Sequence, residues 1–387
     1  MLSDTLMQNL PRILPTVIEI RRHVHMHPEL SGEEIETSAY VCDILDQNGI
    51  RHTVLPDHCG IVAEVGYGEY AVGIRAEMDA LPMREQTGLD YTSVNEGIMH
   101  ACGHDIHLAV ALGLLLLLKP HEQELGVRVR VFFQPAEETV GGADAMIRHG
   151  CLENPKVGTV FGFHVDPTLR VGAVRYLPGA MNAAVTDFEL TVRGKSCHGA
   201  HPEQGIDAIV AATGIIGALQ SIPSRRFAPT TPVIVTTGTI NGGTASNIVA
   251  GEVHMSGTLR ALDMNVMREL KRIFQQTCED TAQGYGARAE VTYTTEYPVL
   301  NSAKELTEQT MERIRALIGK ENVYQLDAPS LGADDFAFFC EATTCCYFNI
   351  GCRGTDQGDE QILHTPCLAP DEGCIRNALE ILCNIVL

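Results

Sequence analysis

The stretch MHACGHDIH at positions 99–107 brings together Cys102, His104, Asp105 and His107, the densest group of metal-capable side chains in the chain. Gly103 lets Cys102 and His104 turn toward one point before an apolar run begins at Leu108. Thiolate beside imidazole suits zinc and also accepts manganese, cobalt or nickel. The plainer alternative is a helix start padded by Cys and His. A second group, FFQPAEET at 132–139, runs an apolar stretch into Pro135 and the adjacent carboxylates Glu137 and Glu138. Two such carboxylates can divide labour, one binding a cation and the other moving a proton; a solvated acidic turn is the competing reading. His164 in VFGFHVD and His364 in QILHTP each sit in apolar surroundings, where a hydrogen-bonded structural His is the ordinary case. Cys102, His104, Glu138, His164 and His364 together are of the types that suit a two-metal site.

Other signals point elsewhere or nowhere. Gly66-x-Gly68-x-x-Ala71 resembles a dinucleotide fingerprint, but strand-like residues follow where a helix is required. Gly194-Lys195-Ser196 lacks the first glycine of a P-loop, because position 189 is Glu, and there is no HExxH or GxSxG. In GKSCHGAHPEQG (194–205), His198 and His201 lie between a strand and a helix, where helix entry and function compete as readings. Asn247 sits in a turn-like GGTASN segment, and Arg260 in GTLR can clasp a carboxylate or form a salt bridge.

The elements that must position these residues alternate. Residues 12–26 and 33–49 read as amphipathic helices, the second opening with a Ser31/Glu34 capping box. Strand-like runs occupy 52–56, 60–66, 71–76, 127–134 and 158–164, with an apolar helix over 105–119 stopped by Pro120. From about 184 the succession becomes βαββαβ up to 294, the order of a ferredoxin-like unit, and α/β alternation then resumes. We therefore expect an α/β domain in two parts, 1–182 and 297–387, with an α+β domain inserted over 183–296.

Composition narrows the function classes. The 387 residues carry 28 Lys+Arg against 49 Asp+Glu, a formal charge of −21, which argues against nucleic-acid or anionic-membrane partners. With 45% apolar and 20% charged residues the chain is expected to be globular, and with no Trp its cores must be largely aliphatic. The longest apolar run, 108–118, is about half the ~20 residues that span a bilayer, and the N-terminus lacks a basic start, so neither a membrane helix nor a secretory signal is expected. Thirteen Cys, an odd number without CxxC pairs, fit a reducing cytoplasm.

Eight stretches resemble one family: RRHVHMHPELSGEE (21–34), RAEMDALPMREQTG (75–88), MHACGHDIHLA (99–109), FFQPAEETVGGADAMI (132–147), FGFHVDP (161–167), NGGTASNIVAGEVHMSGTLR (241–260), LGADDFAFF (331–339) and LHTP (363–366). They are similar, in the same order and over nearly the whole chain, to the amidohydrolase branch of the M20 metallopeptidases, which includes hippurate hydrolases, N-acyl-amino-acid deacylases and auxin-conjugate hydrolases. The resemblance implies a zinc-peptidase-like mixed sheet flanked by helices, with a ferredoxin-like lid and dimerisation domain. It further implies two divalent metal ions, Mn or Zn before Co or Ni, held by Cys102, His104, Glu138, His164 and His364, with Glu137 as general base. Asp79 would orient a ligating imidazole. His198 would polarise the substrate, often across a dimer interface, and Asn247 and Arg260 would lie near the substrate carboxylate. Glu77 stands where the broader family has its first metal-binding His and where this branch more often has Asp. Cys197 and Glu203 stand where related sequences commonly have Gly and His, which bears on substrate choice.

The expected reaction is hydrolysis of an N-acyl amino acid, of N-acetyl or N-benzoyl type, in a cytoplasmic homodimer. An aminopeptidase or dipeptidase of the same family, and a non-catalytic metal-binding relative, are the competing readings. Cys102 as an oxidation-sensitive ligand is a further expectation.

Overall fold

The computed structural model describes residues 2–56, 60–139, 141–355 and 361–387. The chain divides into two compact units, one formed by Met1–Met181, Asn301–Ala328 and Asp335–Leu387, the other by Asn182–Leu300 and Pro329–Asp334.

The larger unit is built on a mixed sheet of eight strands, in the order Arg51–Val54, Ile61–Val65, Arg128–Gln134, Tyr70–Glu77, Lys156–Arg170, Thr344–Arg353, Val174–Tyr176 and Val323–Gln325. Its centre is parallel: Tyr70–Glu77 runs alongside both Arg128–Gln134 and Lys156–Arg170, and the latter alongside Thr344–Arg353. Helices cover such strands on both faces, which is why Val129, Val131, Phe132 and Phe133 are all buried in succession.

Helix His104–Leu118 is apolar all round, and only Leu116 along it escapes full burial. It packs between helix Leu2–Met26, helix Gly373–Val386 and the sheet, as expected of a helix without a polar face. Helix Leu2–Met26 starts ten residues before the sequence suggests and runs through Pro11 and Pro15. Each proline removes a backbone donor, but Leu6, Leu10, Val17, Ile20 and Val24 keep one buried stripe across the interruption. Among the described residues no helix is long and apolar enough to cross a membrane.

One local expectation fails. Helix Ile35–Gln47 follows Glu34, whose own side chain does not cap it; the Glu29 carboxylate accepts the Glu36 N–H (3.1 Å) and the Thr37 N–H (2.7 Å). Ser31 Oγ instead donates to Asp79 Oδ2 (2.7 Å), and Glu34 Oε1 accepts the Ala136 N–H (2.7 Å). Both side chains serve the strand ends rather than their own helix.

The smaller unit has a four-stranded antiparallel sheet ordered Val233–Gly242, Glu252–Ala261, Ala184–Arg193, Arg288–Tyr297. Helices Ala208–Leu219 and Met264–Gly284 connect its strands and pack on each other. Each opens with an aspartate, Asp207 or Asp263, accepting two backbone N–H groups of the first turn. The short segment 329–334 belongs to this unit, tied by Ala183 N–H to Gly332 O (2.9 Å) and Arg260 Nη1 to Leu331 O (2.7 Å).

Candidate metal centre

Three parallel strands bring their carboxyl ends to one edge of the large sheet, the usual place for a site in such a sheet. Tyr70–Glu77 leads into Asp79, and Arg128–Gln134 leads into Glu137 and Glu138. Lys156–Arg170 runs on past its neighbour: the ladder with Tyr70–Glu77 ends at Ile74 opposite Phe161, and His164 lies beyond that point. His104 is the first residue of the buried helix.

The donors converge. Cys102 Sγ is 3.2 Å from His164 Nε2 and 3.4 Å from His364 Nε2. His364 Nε2 is 3.1 Å from Glu138 Oε1. Donor atoms of His104, Glu137 and Glu138 also lie within 4.8 Å of one another. Metal–ligand bonds of 2.0–2.3 Å place neighbouring donors about 3.3–3.8 Å apart in a tetrahedral shell, close to these separations. The imidazoles also present the correct atom. His104 Nδ1 faces Asp79 O (2.9 Å) and Oδ1 (3.1 Å), and His164 Nδ1 faces the Val165 carbonyl (2.7 Å). In each ring the Nδ1–H is thereby used as a donor, leaving Nε2 as a lone-pair site. His104 Nε2 is buried and makes no hydrogen bond, the kind of orphan that a cation satisfies. The residues present therefore fit a divalent metal.

The surroundings hold this geometry under some strain. Ala136 (φ 55°) and His364 (φ 60°) adopt the left-handed region, unfavourable for side-chain-bearing residues. Each is held by a backbone hydrogen bond: Ala136 N–H to Glu34, and His364 N–H to Ala101 O (2.8 Å). Gly103 (φ 86°) sits in the left-handed region, and a Cβ there would meet Val165 Cγ2 at 2.3 Å, so any larger residue must displace Val165. Asp79 ties the ends together, since its Oδ2 also accepts the Glu138 N–H (2.9 Å).

The electrostatics follow from burial. Desolvation would raise the Asp79 carboxyl, but hydrogen bonds from His104, Glu138 N–H and Ser31 hold it below its ordinary value. Desolvation also opposes ionisation of Glu138, which His364 and His104 keep low nonetheless. Burial drops His164 to about 4, keeping its imidazole neutral as a ligand must be. Burial pushes the Cys102 thiol well up; a bound cation reverses that and favours thiolate. Glu34 is raised to about 7, mainly by desolvation.

Asp105, a candidate from its place in the 99–107 cluster, turns away. Its Oδ2 accepts from Arg21 Nε (2.7 Å) and lies 2.9 Å from His25 Nδ1, while His25 Nε2 reaches Glu85 (3.2 Å). This buried network anchors the helix that starts at His104.

The remaining sequence candidates lie in the smaller unit. Pairing of Cys197–His198 with Ile248–Val249 sets His198 beside Asn247, whose carbonyl accepts the Gly199 N–H (2.7 Å). His198 is exposed and its Nδ1 accepts the Ala200 N–H (3.1 Å). Arg260 is half-buried and bound to Leu331 O, as described above.

A family model described as peptidase family M20/M25/M40 matches residues 73–387. The chain belongs to that family. An N-acetyl-L-cysteine deacetylase of Bacillus subtilis is 36% identical over 96% of this chain and 87% of its own length. An N-acetyldiaminopimelate deacetylase of Limosilactobacillus fermentum is 30% identical over 96% of each chain. A solved structure from Bacillus subtilis, described as a dinuclear metal-binding peptidase of the M20 family, superposes with a TM-score of 0.81 at 30% identity, covering 97% of this chain and 98% of its own. This M20 hydrolase thus shares its fold and its family with metal-binding amide-cleaving relatives.

Sequence reasoning missed Arg75 and Asp335 as support of the M20 site, took Ser31 and Glu34 as caps, and noted His107 and Glu77 only as a possible donor and as the residue at the broader family's first His position. A signal existed for two of these. Arg75 and Glu77 are charges in the second half of strand Tyr70–Glu77, which is buried from Gly73 onward, and a charge there is costly unless it is paired.

Proposed function

We propose that this M20 hydrolase cleaves the amide bond of N-acyl amino acids, of N-acetyl or N-benzoyl type, releasing a carboxylate and a free amino acid. Cys102, His104, Glu138, His164 and His364 would hold two divalent ions, Mn or Zn in preference. Such ions, when bound, acidify water and polarise a carbonyl oxygen. Glu137 lies with Glu138 and His104 in one donor cluster, where its carboxylate would take the proton of the attacking water; its Oε1 accepts the Asp335 N–H (3.4 Å). The same carboxyl then returns that proton to the departing amine. His198 donates to the developing oxyanion, and Asn247 and Arg260 receive the amino-acid carboxylate. The working form in this reading is a cytoplasmic homodimer built through the smaller unit.

The observation that carries the proposal is the convergence of five dispersed donors beside Glu137. The experiment is a panel of N-acetyl and N-benzoyl amino acids, with unblocked dipeptides alongside, assayed after reconstitution with Mn or Zn. Turnover of the blocked substrates is expected. Turnover of dipeptides alone, or two bound metals with no turnover, would overturn it.

A further inference from the structure

Glu77, His104, His107 and His164 place four donor atoms within 4.8 Å of one another, which looks like one more cation site. The hydrogen bonds exclude His107 and Glu77 as ligands. His107 Nδ1 is 2.9 Å from Glu77 Oε2, and His107 Nε2 accepts the Val165 N–H at 3.0 Å. Because Nε2 accepts from a backbone donor it carries no proton, so Nδ1 carries it and donates to Glu77. Neither ring nitrogen is left for an ion. Glu77 is itself committed, with Oε1 paired to Arg75 Nη1, and Arg75 is bound in turn to Gln134 Oε1 (2.9 Å) and Asp335 Oδ1 (2.6 Å). Arg75, Glu77 and His107 are all fully buried.

We propose that Arg75, Glu77 and His107 form a positioning relay that fixes the orientation of His164. Beyond Phe161 the strand Lys156–Arg170 loses its ladder partner on one side, so the Val165 N–H needs another acceptor. His107 Nε2 is that acceptor. The carbonyl of the same residue receives His164 Nδ1 at 2.7 Å. Val165 is thus gripped at its N–H by His107 and grips His164 with its C=O. The rings of His107 and His164 also meet edge to face, with centroids 4.7 Å apart. Arg75 pairs with Glu77, Glu77 accepts the His107 Nδ1–H, and that tautomer leaves Nε2 to hold Val165. The inference rests on the metal reading above, with His164 as a ligand.

The test compares His107→Leu, which has no acceptor, with His107→Gln, whose Oε1 can take the Val165 N–H. Cobalt and zinc stoichiometry and affinity are measured by equilibrium dialysis, and the d–d spectrum of the cobalt form is recorded. His107→Leu is expected to weaken one of the two ions by about 10–100-fold, the range for loss of a group that orients a ligand, and to change the cobalt spectrum. His107→Gln is expected to recover most of both. An independent measurement needs no variant: the imidazole ¹⁵N shifts of His107 in the unsubstituted protein should show protonated Nδ1 and unprotonated Nε2. Unchanged affinity and spectrum in His107→Leu, or the opposite tautomer, overturns the relay. Failure of the unsubstituted protein to bind two ions overturns the metal reading instead, so the two failures are distinguishable.

Discussion

Three histidines of the larger unit and three of the smaller unit are placed in opposite environments, while His364 beside Cys102 and Glu138 is itself half exposed. His25, His104 and His107 are fully buried, and each has at least one ring nitrogen facing a carboxylate. His198, His201 and His254 are exposed. His198 meets only a neighbouring backbone N–H among its described hydrogen bonds. A ring that must hold a donor atom to within tenths of an ångström needs a dry, multiply bonded setting. A ring that meets its ligand from solvent does not. The contrast fits the proposed roles, in which His104 would hold an ion and His198 would meet substrate.

The largest effect should come from breaking the rigid side. Asp105→Asn removes the buried carboxylate shared by Arg21 and His25, leaving Arg21 only the partly exposed Glu372 (3.3 Å) as a charged partner, and is expected to cost about 3–5 kcal/mol in denaturant unfolding; a loss near zero would break the contrast. Next, Glu137→Gln should lower turnover at least about 10²-fold with both metals retained, read by steady-state kinetics and elemental analysis on one sample. His198→Ala sharpens the comparison, with turnover expected to fall about 10²-fold and metal content unchanged. Asp79→Asn should do the reverse and weaken metal binding about 10–100-fold, read by chelator competition.

The smallest effect concerns Glu34. Its carboxyl titrates near 7 in the fold against an ordinary value near 4.5, so the native state binds more protons than the unfolded state between those values. Stability of the metal-free protein should therefore decline as pH rises from about 4.5 to about 7. Glu34→Gln keeps the acceptor for Ala136 and should flatten that decline in melting curves.

Much of the fold class is readable from periodicity. The alternation of strand-like runs with helices, the apolar helix among them, reads as an α/β layer structure; the mixed sheet flanked by helices, implied by the family resemblance, is what forms. The start of the first helix is not readable, because two prolines mask a stripe maintained by tertiary packing. At the centre, residue type marks Cys102 and His104 as donors, but it marks Asp105 and His107 equally. Only packing separates them, since Arg21 and His25 draw Asp105 away and Val165 takes His107. Ser31 and Glu34 mislead for the same reason: the spacing of a capping box is met, while the side chains find better partners far along the chain.

The gap at Gly103 has a consequence for anyone wishing to alter the ion preference of this protein. The side chain of Val165, next to His164 in the sequence, occupies the space where a methyl would sit, so the width of the cradle is fixed by an atom that is missing. Enlarging residue 103 would drive Val165 outward and carry His164 with it; trimming Val165 at the same time would give that room back. In the proposed metal reading, the position of His164 can thus be tuned by a pair of residues that are not themselves ligands, with every donor side chain retained.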